Sequence, residues 1–381
     1  MKLVVAWLCC LLSACAPAAS ASDPAPTRAV WITRWDYLTR EDVERIVSDC
    51  AEAGFDTLLF QVRGNATVFY RSSFEPWAEQ LGWRDPGFDP LATALAAARR
   101  HGLALHAWVN VVPAWWGPGP PEERAHVVHT HPEWLWFDGN GRRQDYSERF
   151  YVSLNPCLPE VREYLVAVLS ELLEDYAVDG LHLDYIRFPN EPPAVRPGQD
   201  FPRDVRTLEL YRAASGRAPG DDMKAWDAWR AEQVTELVRA VATARDRLRP
   251  TAELSAAVGP EAEAALSHHQ DWRRWITEGL LERVFPMNYT ADDERFDARM
   301  RVWSAHAADL PVVMGLRVGS IEPARLIERM RRCERSLGGF GVFMYSDFFD
   351  CRNTVIDAQT PERSRERAAC RAAVLPHLRG S

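Results

Sequence analysis

From Ala29 onward, short runs of alternating or continuous apolar residues are separated by longer stretches with helical spacing. The runs Ala29–Trp35, Thr57–Arg63, Ala104–Val111, Leu181–Phe188, Glu253–Val258, Arg283–Tyr289, Pro311–Val318 and Gly339–Asp347 read as strands. The spacing predicts helices over Thr39–Ala53, Pro90–His101, Pro159–Tyr176, Val205–Ser215, Asp222–Leu248, Trp272–Glu278, Asp292–Ala307 and Glu322–Ser336. Thr39 with Asp42 makes an acidic capping box, Asp89 an N-cap, and Gly54 and Gly102 are helix stops. Eight strand-then-helix units predict an α/β fold, a single (β/α)8 TIM-type barrel with long loops at its C-terminal face. A doubly wound open sheet would also alternate, but it usually carries a Gly-rich phosphate turn after strand one. That turn here is Asp36-Tyr37-Leu38, with no glycine.

The strand ends are where the chain departs from a plain core. V-D-G-L-H-L-D-Y-I-R-F-P, Val178 to Pro189, puts His182 and Asp184 on one face and Leu181 and Leu183 on the other. A carboxylate at the C-terminal end of a barrel strand sits where such folds keep catalytic groups. Burying it without a partner or a job is costly. The plainer alternative is that Asp184 caps the next loop or pairs with Arg187. The other strand ends supply Arg34, Trp35, Gln61, Arg63, Trp108, Asn110, Tyr185, Arg187, Asn288, Tyr289, Arg317, Tyr345 and Asp347. In a barrel these converge on one mouth and are candidates for substrate binding. The loops after strands two to four carry Trp77, Trp83, Trp115, Trp116, Trp134 and Trp136. Aromatic faces with amides and carboxylates are the chemistry of sugar recognition. Trp115 and Trp116 read equally as sugar platforms or loop anchors, while Trp31, Trp226, Trp229 and Trp303 read as core.

Hydrolysis of a glycosidic bond uses two carboxylates. Asp184 suits the nucleophile, since Arg187 and nearby donors could hold it ionised. Glu261 suits the acid/base, being longer and following Gly259-Pro260 at the end of the next strand. It also reads as a helix N-terminal glutamate. His106 and His182 point inward by strand parity. With Asp184 they could form a metal site, but the paired His-x-His strand motif is absent. No cofactor is expected.

Composition narrows the partners. The formal net charge is −9, with no Lys/Arg-rich run, so nucleic acid is not an expected partner. Met1-Lys2, an apolar run from Leu3 to Leu12 and small residues after it read as an export signal too short to span a bilayer. Leu12-Ser13-Ala14-Cys15 resembles the bacterial lipoprotein signal, which implies lipidation of Cys15 and membrane anchoring. A plain secretory signal cut near Ala19 to Ala21 is the alternative. The domain reading is therefore a signal at 1–15, a flexible tether at 16–28 and the barrel at 29–375. Ala16 in place of aspartate implies, by the same resemblance, the outer membrane facing the periplasm. No cysteine pair has C-x-x-C spacing; Cys351 could pair with Cys370 or with Cys333 in an oxidising compartment.

R-A-V-W-I-T, F-Q-V-R-G-N-A, P-W-A-E-Q-L-G-W-R-D-P-G-F-D-P-L, H-G-L-A-L-H-A-W-V-N, H-P-E-W-L, Y-V-S-L-N-P-C-L-P-E-V-R-E-Y and V-D-G-L-H-L-D-Y-I-R-F-P occur in order. Together they resemble glycosyl-hydrolase-like family 10, over roughly residues 28 to 350. The resemblance implies a TIM-type barrel, export, often lipidation, and glycan hydrolysis, in some members on peptidoglycan strands stripped of stem peptides. It implies Asp184 as nucleophile and, on a weaker match, Glu261 as acid. The expected protein is an envelope-anchored glycoside hydrolase. The alternatives are a glycan-binding lipoprotein without turnover and a metal-dependent deacetylase or amidase.

Overall fold

The computed structural model describes residues 25–189, 201–352 and 360–380. Cys15, the signal and most of the expected tether lie outside them, as does the loop at 190–200. The described residues form ten strands: β1 (Thr27–Ile32), β2 (Thr57–Arg63), β3 (Ala104–Asn110), β4 (Pro113–Gly117), β5 (Ser147–Ser153), β6 (Gly180–Asp184), β7 (Glu253–Val258), β8 (Arg283–Pro286), β9 (Met314–Arg317) and β10 (Gly339–Phe343). Eight of them form one parallel sheet in the order β8-β7-β6-β3-β2-β1-β10-β9. Bridges Val284↔Val312 and Met287↔Gly315 join β8 to β9 and its lead-in and nearly close the sheet into a barrel. The remaining pair, β4 and β5, is an antiparallel ribbon inserted between β3 and β6.

The helices are α1 (Arg40–Ala53), α2 (Pro90–His101), the single turn α3 (Val127–Thr130), α4 (Pro159–Asp175), α5 (Val205–Ser215), α6 (Met223–Leu248), α7 (Ala262–Ser267), α8 (Trp272–Thr277), α9 (Asp293–His306), α10 (Pro323–Ser336) and α11 (Pro361–Arg379). Helix α1 starts where Thr39 Oγ1 accepts the Asp42 N–H and Asp42 Oδ2 accepts the Thr39 N–H. It ends at Gly54, whose φ of 96° favours glycine and whose missing Cβ leaves room for the Leu378 carbonyl of α11.

Alternation along each strand separates two apolar regions. Outward residues such as Val30, Leu58, Leu105, Leu181 and Leu183 pack beneath the helices. Inward residues Ala29, Trp31, Leu59, Trp108, Phe285 and Val313 fill the barrel, with Phe343 against them. Trp31 fits because Gly341 lies opposite; a Cβ there would be 2.8 Å from the indole. Trp226 and Trp303 are fully buried, and Trp229 stacks on Trp226 at 5.4 Å.

Several expected strands run on too far. The fourth ends at Asp184 rather than Phe188, because Tyr185 turns into the left-handed region at φ 49°. Strands six and eight end at Pro286 and Phe343 rather than Tyr289 and Asp347. The ribbon β4–β5 and helix α11 were not anticipated. Neither cysteine pairing that the sequence left open is formed among the described residues: no disulfide joins Cys351 to Cys333 or to Cys370. Cys351 Sγ donates instead to Asp36 Oδ1 at 3.2 Å.

Candidate active site

Register stacks the inward side chains of β3 and β6 in layers. His106 lies opposite Gly180, Trp108 opposite His182, and Asn110 opposite Asp184. Asp184 thus occupies the top layer at the C-terminal mouth, where it is only 7% exposed. Each of its oxygens accepts one N–H. The Tyr185 backbone donates to Oδ1 at 2.7 Å, and Trp108 Nε1 donates to Oδ2 at 3.2 Å. Burial raises the Asp184 carboxyl above the usual aspartate range, against the lowering effect of Arg187 and these two donors. Asp184 also sits close enough to Tyr289 to add to the rise that burial imposes on that phenol. Tyr289 packs on Phe343, and the Arg317 guanidinium lies over that same Phe343 ring, 5.3 Å from its centroid.

One layer down, His182 is fully used. Trp31 Nε1 donates to Nε2 at 3.1 Å, which assigns the ring proton to Nδ1 and directs it to Ser255 Oγ at 3.0 Å. Ser255 passes its own proton to the Leu181 carbonyl at 3.3 Å. Burial lowers the His182 pKa well below that of a free imidazole, so the ring is neutral. His106 lies at the opposite end of the barrel, beside Glu253, and burial takes its pKa to about 3. The two histidines and Asp184 occupy three successive layers and do not converge, so the geometry does not build the metal centre of a deacetylase.

The other expected residues divide by what they touch. Asn110 and Asn288 are buried at the mouth, and Asn110 Oδ1 and Asn288 Nδ2 have no hydrogen-bond partner among the described residues. Arg34 is buried, stacks on the Trp35 ring at 4.1 Å and leaves Nε and Nη1 without a partner among the described residues. Gln61 Oε1 accepts the Arg34 backbone N–H at 3.0 Å and so fixes two strand ends together. Buried polar atoms without partners are uncommon in folded proteins, and here several gather at one opening.

Arg63 does not serve the mouth as expected. Its guanidinium forms a buried pair with Glu75 at 2.6 Å and donates to the Asn110 and Val111 carbonyls. Trp115 and Trp116 have different fates because adjacent strand residues face opposite ways. Trp115 is buried, stacks on Trp83 at 5.8 Å and donates to the Gly119 carbonyl. Trp116 stands edge-on to Trp35, centroid to centroid 6.4 Å. Tyr345 points away from the barrel to Asp49 and Arg45 of α1. Asp347 is held by Arg363 of α11 at 2.7 Å.

Glu261 caps the short helix α7 without a side-chain capping bond. Its carboxylate is clamped by Arg295 at 2.9 Å and Arg299 at 2.9 Å. Arg299 also donates to Asn288 Oδ1 at 3.0 Å, which ties the clamp to the mouth. The hydrogen bond from Arg295, with Arg299 behind it, holds Glu261 below the usual glutamate range. That is the environment of an ionised base, not of a proton donor.

Two mouth residues, and a glutamate on the loop after β2, escaped the sequence reading. Arg149 and Tyr151 come from β5; Tyr151 meets Tyr185 edge-on at 5.1 Å and lies 3.5 Å from Arg34 Nη2. The run Arg149 to Ser153, R-F-Y-V-S, has strand composition, but its partner strand is over thirty residues away. Glu79 opens a turn of 3-10 helix (Glu79–Leu81) on the loop after β2, beside Arg34. Burial raises its carboxyl above the usual range, with Arg34 opposing, and Gln80 donates to Oε1 at 3.1 Å.

The comparisons with known proteins agree with this architecture. The profile of the family described as glycosyl hydrolase-like 10 matches residues 26–328. Glycosyl hydrolase YngK of Bacillus subtilis (strain 168) is 24% identical over 330 residues, covering 77% of this chain and 60% of that protein. Glycosyl hydrolase DigH of Escherichia coli (strain K12) is 25% identical over 275 residues, covering 66% of this chain and 59% of that protein. The chain therefore spans about three fifths of the length of these relatives. Among solved structures, the glycoside hydrolase domain of PgaB (BpsB) from Bordetella bronchiseptica superposes with a TM-score of 0.62 at 13% identity, over 90% of this chain and 98% of that one. The catalytic domain of β-amylase from Paenibacillus polymyxa gives 0.60 at 10% identity, over 85% and 93%. At such identities the structural likeness speaks to the barrel alone. The sequence match over most of the chain goes further: the protein belongs to the glycosyl hydrolase-like 10 family.

Proposed function

We propose that the protein is a glycoside hydrolase that cleaves O-glycosidic bonds of a cell-wall or surface polysaccharide, with Asp184 as the carboxylate at the anomeric carbon. The observation that carries this reading is the setting of Asp184: buried at the barrel mouth, one N–H donor on each oxygen, and at the same mouth the Asn110 Oδ1 and Asn288 Nδ2 atoms without a partner among the described residues. Two donors leave the carboxylate oriented and able to attack or to stabilise positive charge at the sugar. The leaving oxygen needs a proton from a carboxylic acid that stays protonated near neutral pH. Glu79, raised by burial, is the proposed donor, and the arginine-held Glu261 is the poorer candidate for it. The substrate proposed from the family is the peptidoglycan strand freed of stem peptides. Lipidation at Cys15 and an outer-membrane position facing the periplasm complete the proposal.

The clamp on Glu261 specifically favours a second reading, a barrel that binds glycans without turning them over. One experiment separates the two. Protein beginning near Ser22 is incubated with intact peptidoglycan, peptide-free strands and neutral polysaccharides, and new reducing ends are read by mass spectrometry. Products from one glycan class that vanish in Asp184→Asn support the hydrolase. Glycan pull-down without products from any substrate supports the binder.

A further inference from the structure

The last residue of β2 does not face the way strand alternation dictates. Leu59 and Gln61 pair with the inward His106 and Trp108, but the register then slips and Arg63 pairs with Val109. Val109 packs outside the sheet, beneath the helices, so the bulge turns Arg63 out of the barrel. There its guanidinium meets Glu75, from the loop between β2 and α2, as a fork. Nε donates to Oε2 at 2.7 Å and Nη2 to Oε1 at 2.6 Å. Both side chains are 1% exposed, and Tyr164 of α4 donates its hydroxyl to the same Oε1 at 2.8 Å. The third nitrogen, Nη1, serves the backbone. It donates to the carbonyls of Asn110 and Val111, the latter at 3.0 Å, where β3 ends.

Those two residues bear directly on the reacting carboxylate. Asn110 is the register partner of Asp184, and the Val111 N–H donates to the Asp184 carbonyl at 2.8 Å. The path from Arg63 to Asp184 is therefore two hydrogen bonds with one residue between them. The far end of the pair is fastened too. Two residues before Glu75, Ser73 donates its N–H and its hydroxyl to Glu171 of α4, each at 2.6 Å, and Ser72 adds its hydroxyl at 2.5 Å. A hydrophobic pair of similar volume often supports a fold as well as a buried ion pair does, so stability alone does not account for this one. A planar fork supplies fixed geometry as well as charge. The opposite end of the barrel holds a pair of the same design. Arg245 of α6 forks on Glu282 and donates to the Ala252 carbonyl, far from the mouth. We infer that Arg63 and Glu75 are positioning residues for the reaction, a buried brace that fixes the end of β3 and so holds Asp184 and Asn110 in register at the mouth. The inference rests on the glycoside hydrolase reading and adds to it the part that keeps the reacting carboxylate in place.

The test first reads Asp184 without turnover. Trp108 Nε1 donates to Asp184 Oδ2, so the indole N–H resonance of Trp108 follows the ionisation of that carboxyl. The resonance is identified by its loss in Trp108→Phe. Two variants release the brace: Arg63→Lys keeps the charge without the fork, and Arg63→Met with Glu75→Leu removes both charges. In each, water gains access to Asp184, and the titration midpoint falls toward the 3.8 of a free aspartate. On peptide-free peptidoglycan strands kcat falls about tenfold or more while KM stays within about twofold. Arg245→Met with Glu282→Leu moves neither, whatever it does to the melting temperature. An unchanged midpoint in both brace variants overturns the inference, as does an unchanged kcat, an equal change in the Arg245 and Glu282 variant, or loss of the folded state in both brace variants. In an enzyme that cleaves the strands, any of these results removes the brace and leaves the hydrolase. A midpoint that falls in both brace variants of a protein whose wild type cleaves no glycan leaves the brace and removes the hydrolase.

Discussion

Asp184 and Glu261 stand at the ends of neighbouring strands, β6 and β7, and the fold treats them in opposite ways. Asp184 is buried, meets two neutral N–H donors and, among the described residues, no direct ion pair, and titrates higher than a free aspartate. Glu261 is 38% exposed at its side chain, grips two arginines and titrates lower than a free glutamate. The same functional group thus serves two ends. Burial with neutral donors keeps a carboxylate reactive and uncommitted, while an arginine clamp commits it to structure and to the ionised state. Position at a strand end does not decide the chemistry; the neighbours do.

The largest effect expected from this contrast is on turnover. Asp184→Asn should lower kcat by roughly a thousandfold or more, measured as reducing ends released per enzyme. The melting temperature of that variant should equal or exceed that of the wild type at neutral pH. The sign follows from the raised carboxyl: folding favours the protonated form, so ionised Asp184 costs stability once pH passes through its folded pKa. In acid the advantage of asparagine should vanish. A large drop in melting temperature at pH 7 would show Asp184 to be a structural anchor.

The proton donor comes next. Glu79→Gln should lower kcat by about a hundredfold or more on a natural glycan, and by much less on a substrate with an aryl leaving group that needs no proton. Glu261→Gln should show no such dependence on the leaving group. The reverse pattern would return the donor role to Glu261.

Smallest is the stability effect of the clamp. Glu261→Gln should cost about 1 kcal/mol or less at neutral pH, because the pair is partly exposed and screened. A depressed carboxyl contributes stability above its unfolded pKa, near 4.5, and loses it as pH falls through the folded value. The loss on mutation should therefore shrink in acid, opposite in sense to Asp184→Asn. Denaturant melts of both variants across pH 3 to 8 would show whether the two trends cross.

Much of this was legible along the chain because it depends on neighbours in sequence. Alternation marked β2 and β7 to their observed limits and put His182 and Asp184 on the inward face. Capping chemistry marked α1 and α2. What was not legible depends on partners far away. Arg63 could be placed at a strand end, but Glu75, which captures it, arrives on an irregular loop. Glu261 reads as an acid until α9 brings Arg295 and Arg299 against it, 34 and 38 residues later. Tyr345 leaves the mouth because the last strand stops at Phe343 and the chain turns toward α1. Arg149 and Tyr151 reach the mouth only because β5 folds back on β4, a pairing no local period announces.

The most direct test of the contrast is the pH dependence of kcat/KM on the cleaved glycan, in wild type, Trp108→Phe and Glu261→Gln. Activity should rise with pH through the ionisation of Asp184, with its acid limb above the 3.8 of a free aspartate. Losing the Trp108 N–H removes a donor to the carboxylate, so in Trp108→Phe the limb should move to higher pH still. Glu261→Gln should leave it in place. A limb at the ordinary aspartate value that ignores Trp108→Phe, or one that shifts with Glu261→Gln instead, would contradict the assignment of Asp184 as the reacting carboxylate.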